Sequence, residues 1–238
     1  MEIEKALYLI PVDLGFMPEG GIHSPFQQKV LNNLRFFIAE NASTARKFLK
    51  KAGYPHALQQ TEIEEFNEHT RRSGEMYADF RKILLENLPI GLMSEAGMPC
   101  VADPGHEIVA LAHQLNVKVI PFHGPSSILQ ALTASGFAGQ QFVFHGYLPS
   151  KPDMRRSMMK KIFQNAQRDG YTQIFMETPY RSAYMLSDLI QMLPEQAMLS
   201  VACEIGTLEE FIKTQNIGQW KKSLPDIHKK RCIFSLQA

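Results

Sequence analysis

The chain of 238 residues is predicted to adopt an α/β fold with mainly parallel sheets. Two observations carry this prediction. Short apolar runs of strand length alternate with stretches of helical periodicity along nearly the whole chain, which is the pattern of repeated β-α-β units. Glycine and proline also cluster directly after the apolar run Ile90–Met93, where the carboxyl end of a strand would present a loop.

The first half of the chain contains four strand-like runs, each followed by helical periodicity. The first helix has a suitable N-cap in Ser24 and a proline, Pro25, at its first position. The predicted strands are 6–12, Phe36–Ala39, Ile90–Met93 and 117–122. The predicted helices are 24–34, 41–51, 70–88 and 106–115. Because helices connect successive strands, the strands should run parallel and be covered on both faces.

The second half repeats this alternation, and we place the boundary between two domains, 1–122 and 123–238, at a hinge near residues 121–124. The predicted helices of this half are 125–135, 154–168, 183–193 and a short one over 208–212. The predicted strands are 141–146, 173–177, Met198–Cys203 and 231–236.

Composition excludes several classes of protein. Lys plus Arg total 25 against 24 for Asp plus Glu, so the chain lacks the global positive charge of many nucleic-acid binders. Three cysteines without a C-x-x-C pair argue against a disulfide framework or a zinc site and favour a reducing cytoplasm. Scattered histidines argue against a catalytic metal. The apolar runs are too short for a membrane span or a signal peptide, so we expect no membrane partner.

The segment SEAGMPCVADPG, residues 94–105, is the most informative part of the sequence. Gly97 and Gly105 permit positive φ angles or close backbone approach, while Pro99 and Pro104 restrict the chain beside them. The segment should therefore be a stiff, shaped loop. Taken alone, it could be a simple crossover turn.

Further motifs follow this loop in a fixed order. GPSSILQAL begins at Gly124, GYLPSK begins at Gly146 and ETPYR begins at Glu177. Together with SEAG-x-P and DPG, this series resembles the tetrapyrrole methylase superfamily of S-adenosylmethionine (SAM) dependent methyltransferases. Within that superfamily it is most similar to the branch that 2′-O-methylates a cytidine ribose of small-subunit ribosomal RNA. The resemblance extends over nearly the whole chain.

The resemblance implies two α/β domains with a SAM-binding cleft between them, and commonly a homodimer. A sulfonium methyl group is already activated, so catalysis mainly requires alignment of the acceptor in a water-poor site. The residues that the resemblance assigns to cofactor binding are Pro11, Ser94, Glu95, Ala96, Gly97, Met98, Ser126, Ser127, Met176 and Cys203. Met176 could equally be a core residue, and the two serines could simply cap the next helix.

The residues that would bind the acceptor depart further from the family pattern. The family's CEDTR appears here as AENAS, which keeps Glu40 but loses the arginine, and the family's small C-terminal extension is missing after Ala238. Local positive charge still allows an RNA substrate, bound by Lys151, Arg155, Arg156, Lys160 and Arg181. We expect the first four of these side chains to face solvent. Solvated lysine and arginine faces are also common without any such role.

Loss of the acceptor proton requires a basic group. The candidates are Glu40, Glu68 and His69, of which the last two could instead form a polar turn ahead of a helix. Two other functions stay open: methylation of a small molecule such as a tetrapyrrole, and a non-catalytic nucleotide-binding module. An NAD-type fold is disfavoured because residues 9–21 contain no G-x-G-x-x-G.

Overall fold

The structure, a computed structural model, describes residues 3–67, 74–86 and 88–238. The chain divides into two compact units, Met1–Ser126 and Ser127–Ala238. Each unit has an α/β architecture, as the sequence predicts, and contains one five-stranded sheet, one strand more than predicted for each half.

The sheet of the first unit is entirely parallel. Its strands are β1 (Leu7–Ile10), β2 (Phe36–Ala39), β3 (Glu62–Glu65), β4 (Ile90–Met93) and β5 (Val119–Pro121), in the spatial order β3-β2-β4-β1-β5. The described helices of this unit are α1 (Pro25–Leu31), α2 (Ala42–Lys51), α3 (Gly74–Leu85) and α4 (His106–Gln114). Helix α1 begins as predicted, because Ser24 and Gln27 form a capping box and Pro25 occupies the first turn.

Side chains from alternate positions of the strands form two separate cores. Phe37 packs in one hydrophobic cluster, and its neighbour Ile38 packs in the other. A parallel sheet covered on both faces has this arrangement. Strand β3 is absent from the sequence prediction because its residues, EIEE, show no apolar alternation. It forms the edge of the sheet, where charged residues are well tolerated.

The sheet of the second unit is mixed, so the prediction of a mainly parallel sheet is wrong for this half. Its strands are β6 (Phe142–Tyr147), β7 (Thr172–Glu177), β8 (Met198–Cys203), β9 (Phe211–Asn216) and β10 (Cys232–Gln237), in the order β6-β7-β10-β8-β9. Only β6 and β7 pair in parallel. The last strand, β10, inserts between β7 and β8 and runs antiparallel to both of them.

The predicted short helix over 208–212 is also wrong. Strand β9 begins at Phe211 and pairs antiparallel with β8 along its whole length. No crossover helix separates these two strands, because the intervening residues 204–210 form a turn in which Glu204 has a φ of 48°. The remaining helices are α5 (Ser127–Ser135), α6 (Pro152–Asp169), α7 (Ser182–Met192) and α8 (Ile217–Lys222).

Candidate functional site

Three loops of the first unit lie at the same edge of its sheet. They follow β1, β4 and β5, which are adjacent parallel strands with β1 in the centre, and they cover residues 11–15, 94–98 and 122–126. The first two loops are paired through their backbones. The Val12 N–H donates to the Gly97 carbonyl at 2.9 Å, and the Gly97 N–H donates to the Val12 carbonyl at 3.2 Å. Ligands in open α/β sheets bind at this carboxyl edge.

The third loop meets the first two at positions where only glycine fits. A Cβ atom on Gly124 would lie 2.3 Å from the Cβ of Pro11. Gly97 has a φ of 73°, and a Cβ there would lie 3.2 Å from both the Pro125 carbonyl oxygen and a methyl group of Leu14. The glycines of the SEAG and GPS motifs are therefore required by the close packing of the three loops, in which the Pro11 ring, Leu14 and the Pro125 carbonyl occupy the space of a side chain.

The side chains of the SEAG loop divide into supports and exposed groups. Ser94 is buried, and its hydroxyl lies 3.3 Å from the carbonyl oxygens of Ala96 and Gly97, so it holds the loop in shape. Glu95 and Ala96 are exposed, and Met98 is half-buried. Backbone groups and these last three side chains are what the loop can offer to a ligand.

The following segment is stiff for a physical reason. Cys100 and Ala102 have φ angles of 70° and 62°, which are strained for residues with a side chain. The Asp103 carboxylate stabilises this conformation by accepting the Cys100 N–H at 2.8 Å and the Gly105 N–H at 2.6 Å. Burial raises the pKa of the Asp103 carboxyl, and it raises the pKa of the Cys100 thiol to about 12. Cys100 is therefore no thiolate nucleophile at neutral pH.

Two side chains near the start of α1 hold the loops after β1 and β5 through hydrogen bonds to backbone carbonyls. The His23 ring nitrogen Nε2 donates to the Pro11 carbonyl at 3.0 Å. Gln27 Nε2 donates to the His123 carbonyl at 3.3 Å and lies 3.1 Å from the His123 Nδ1. Burial lowers the pKa of His23, so the neutral ring is the favoured form. Sequence reasoning missed both supports, although a polar residue at Gln27, on the buried face of a helix, was a detectable signal.

Of the three candidate bases, the structure describes Glu40 alone. It follows β2, and its N–H lies 3.4 Å from the carbonyl of Met93, the last residue of β4. The half-buried Glu40 therefore shares the sheet edge with the SEAG loop. Glu68 and His69 lie outside the described residues.

The predicted phosphate-binding group on α6 is partly wrong. Lys151, Arg156 and Lys160 are exposed, as expected, but Arg155 is buried. The Arg155 guanidinium donates twice to one carboxylate oxygen of buried Asp188 on α7, at 2.9 and 2.6 Å, and the Arg156 Nε donates to the other oxygen at 3.0 Å. The cause is helical periodicity: position 155 belongs to the stripe 155, 159, 162 and 166 that faces the core.

The ETPYR motif forms a turn between β7 and α7 that is held by hydrogen bonds to the Glu177 carboxylate. The Glu177 side chain is fully buried, and its Oε1 accepts from Arg181 at 2.6 Å and from the Thr178 N–H at 2.7 Å. The other oxygen, Oε2, is buried without a hydrogen-bond partner among the residues that the structure describes. Arg181 keeps 26% of its side chain exposed, and Tyr180 and Tyr184 beside it are 75% and 68% exposed. Sequence reasoning did not single out these two tyrosines.

The predicted cofactor residues of the second unit differ in exposure. Met176 and Ser127 are half-buried, as is Ser126 at the end of the first unit. Cys203 is completely buried in the core of the second unit. Its side chain is therefore unavailable to a ligand in this structure, so Cys203 could contact the cofactor only through its backbone, and that role stays a prediction. The cause of its burial is strand alternation, since Val201 and Cys203 face the same core.

Within residues 3–67, 74–86 and 88–238, no helix has the length and hydropathy to cross a membrane. The same residues contain no group of three or more His, Cys, Asp or Glu side chains arranged to hold a metal ion.

Comparison with known proteins identifies the class of this fold and site. A family model described as Tetrapyrrole (Corrin/Porphyrin) Methylases matches residues 28–220. The "Ribosomal RNA small subunit methyltransferase I" of Buchnera aphidicola subsp. Schizaphis graminum is 29% identical over 227 residues, which are 94% of this chain and 75% of that protein. A protein of the same name from Synechocystis sp. is 31% identical over 206 residues, 86% of this chain and 68% of that protein.

A solved structure supports the fold. The crystal structure of the methyltransferase CobJ superposes with a TM-score of 0.62 at 14% identity, covering 98% of this chain and 93% of that one. The fold and the matched sequence define a SAM-dependent methyltransferase. The chain belongs to the tetrapyrrole methylase family, whose model matches every strand from β2 to β9.

Proposed function

We propose that the three loops of the first unit bind SAM and that the enzyme methylates a ribose 2′-hydroxyl of small-subunit ribosomal RNA. The observation that carries the cofactor assignment is the meeting of the loops at Gly97 and Gly124. A side chain at Gly124 would collide with the Pro11 ring, and one at Gly97 would crowd Leu14 and the Pro125 carbonyl. The two glycines therefore let the three loops pack together at the edge where open α/β sheets bind ligands. When bound, SAM supplies an activated methyl group.

The residues of the chain would mainly bind and align. The backbone of residues 94–98 and 124–127 is suited to the adenosine and methionine parts of SAM, with Pro11 as an apolar neighbour. Met176, as a half-buried residue at the end of β7, stays a proposed cofactor contact. A site built from backbone that is fixed by Asp103, His23 and Gln27 needs little reorganisation on binding.

The choice of RNA as acceptor is supported by the names of the relatives and by local charge. The relatives in Buchnera and Synechocystis are named as ribosomal RNA methyltransferases. In the second unit, Lys151 at the N-cap of α6 and Arg156 and Lys160 on the helix are exposed and are suited to phosphate contacts. Arg181, with exposed Tyr180 and Tyr184 beside it, offers a cation and rings on which unpaired bases can stack. An enzyme with this substrate would act in the cytoplasm, and by family resemblance as a homodimer.

The 2′-hydroxyl loses its proton during methyl transfer, and a basic group can accept that proton. Glu40 lies at the correct edge of the sheet to receive it, and Glu68 and His69 stay proposed alternatives. General-base assistance is a modest part of the proposal, because the good leaving group of a sulfonium makes alignment the main requirement.

A transfer assay with two acceptors tests this function. Purified enzyme would be incubated with radiolabelled SAM and either undermethylated small ribosomal subunits or a reduced tetrapyrrole. We expect label in the RNA, at a ribose, and none in the tetrapyrrole. Labelling of the tetrapyrrole alone would contradict the RNA assignment while preserving the cofactor site. Failure of SAM to bind, measured by calorimetry, would contradict both.

A further inference from the structure

Two buried thiols of the second unit face each other across neighbouring strands. Cys203 is the last residue of β8, and Cys232 is the first residue of β10. The two residues are 0% and 2% exposed, and their Sγ atoms lie 2.7 Å apart. They are separated by 29 positions in the sequence, so their proximity is a product of sheet register.

The register places the pair where cross-strand side chains come closest. Cys203 and Cys232 lie directly opposite each other, and the N–H of Glu204, the residue after β8, donates to the Arg231 carbonyl at 3.0 Å. That bond flanks the cysteine pair, which is therefore a non-hydrogen-bonded pair of the antiparallel ladder. Such pairs have Cα atoms about 4.5 Å apart, within the range that a disulfide spans.

The surroundings of the two cysteines favour the reduced thiol form and also allow an oxidant to reach it. The hydrogen bond with the Cys203 thiol and burial both raise the pKa of Cys232, so the Cys232 thiol is protonated at neutral pH. Both residues nevertheless stand at strand ends, and the adjacent Arg231 has a side chain that is 51% exposed. Fraying of strand ends is the lowest-energy opening of a sheet, and it would admit a small oxidant.

We propose that Cys203 and Cys232 form a reversible intramolecular disulfide under oxidative conditions. With hydrogen peroxide as the oxidant, two S–H bonds and one O–O bond break, one S–S bond and two O–H bonds form, and two water molecules leave. The thiols lose two electrons, which reduce the peroxide. A dithiol reductant reverses the change through thiol–disulfide exchange.

The bond would join β8 to β10 at the end of the sheet that carries the Glu177–Arg181 pair. Strand β10 lies between β7 and β8, and Cys232 is opposite Glu177 of β7 as well as Cys203 of β8. Oxidation would therefore link β10 covalently to one of its two neighbouring strands. The closed loop contains β9 and α8, whose freedom in the unfolded chain would be reduced. The disulfide should therefore stabilise the fold. This inference does not depend on the identity of the methyl acceptor.

Mass spectrometry of the full chain tests the proposal. The protein would be treated with hydrogen peroxide, then denatured and alkylated without a reductant. We expect the oxidised chain to carry one alkyl group, on Cys100, and to contain a peptide in which residues 203 and 232 are linked. The midpoint of thermal unfolding should rise by about 5 to 15 °C and return to its starting value with a dithiol.

Two variants separate the proposed bond from other oxidation. Cys100→Ser should form the linked peptide as the wild type does, whereas Cys232→Ser should show neither the link nor the rise in midpoint. Three alkylated cysteines in the treated wild type, or a loss of thiols to sulfinic acid or to bonds between chains, would overturn the proposal. The wild-type masses decide the question even if Cys232→Ser fails to fold.

Discussion

Gly124 and Pro11 lie so close together that a Cβ atom on the glycine would fall 2.3 Å from the proline Cβ. This contact joins the loop after β5 to the loop after β1, while Val12 and Gly97 join the loop after β1 to the loop after β4. The mutual position of all three loops therefore depends on the packing of Gly124 against the Pro11 ring and on the Val12–Gly97 backbone pair, and a single methyl group on Gly124 can disturb it.

Replacement of Gly124 with alanine should weaken SAM binding by at least about tenfold, or 1.4 kcal/mol, because Pro11 must move to admit the new methyl group. Isothermal calorimetry on the folded variant measures this. Gly139→Ala is the matched control, since a Cβ there would make an ordinary contact, 3.8 Å from Leu132. Equal SAM affinity in both variants would remove the Gly124 loop from the cofactor site.

Three exposed cations on α6 should set the salt dependence of RNA binding. Changing Lys151, Arg156 and Lys160 together to glutamine should reduce the slope of log affinity against log salt by about 2, because each phosphate contact releases counterions. In the control, Arg168, Lys221 and Lys222 are changed to glutamine, which removes the same charge at other exposed positions of the second unit. Filter binding over a range of salt gives both slopes. Identical slopes would favour a small-molecule acceptor.

Asp188 should contribute to the stability of the fold and not to substrate binding. Asp188→Asn leaves the buried Arg155 guanidinium without its counter-charge, and we expect a loss of about 3 kcal/mol in the free energy of unfolding. Urea denaturation measures the loss. Asp169→Asn breaks a surface pair with Arg168 and should leave the unfolding midpoint nearly unchanged. Similar midpoints for the two variants would show that the Arg155–Asp188 pair does not stabilise the fold.

His23 should make the stability of the protein fall in mild acid. Burial depresses its pKa in the folded state, so below about pH 6.5 the unfolded chain takes up a proton that the folded chain does not. This contribution is complete above the ordinary histidine pKa and is lost as the pH falls toward the depressed value. Thermal unfolding from pH 7.5 to 5 should show a smaller loss for His23→Gln than for the wild type. His113→Gln, at an exposed site, should behave as the wild type.

Local signals in the sequence were sufficient for most elements. The N-cap Ser24 and Pro25 mark the start of α1, and the apolar run Ile90–Met93 coincides with β4. The order of β10 between β7 and β8 is set by pairing across distant segments, which no local pattern contains. Strand β9 was missed for the same reason, since its partner β8 decides its conformation.

The packing of the candidate site's loops was predictable where glycines determine it. The glycines at positions 97 and 124 occupy the closest approaches of the loops, as their motifs suggest. Charged residues were less predictable, because charge alone suggested that Arg155 faces solvent while its helical position places it in the core. The neighbouring Cys203 and Cys232 thiols could not be paired from sequence, since their contact requires the sheet register.

Methyl transfer to small-subunit ribosomal RNA is tested most directly by mapping ribose 2′-O-methylation in a strain that lacks the gene. We expect one methylated ribose to lose its methyl group in the deletion strain. The intact gene should restore the modification, and a copy carrying Gly124→Ala should restore it poorly. An unchanged methylation pattern in the deletion strain would contradict the proposed acceptor.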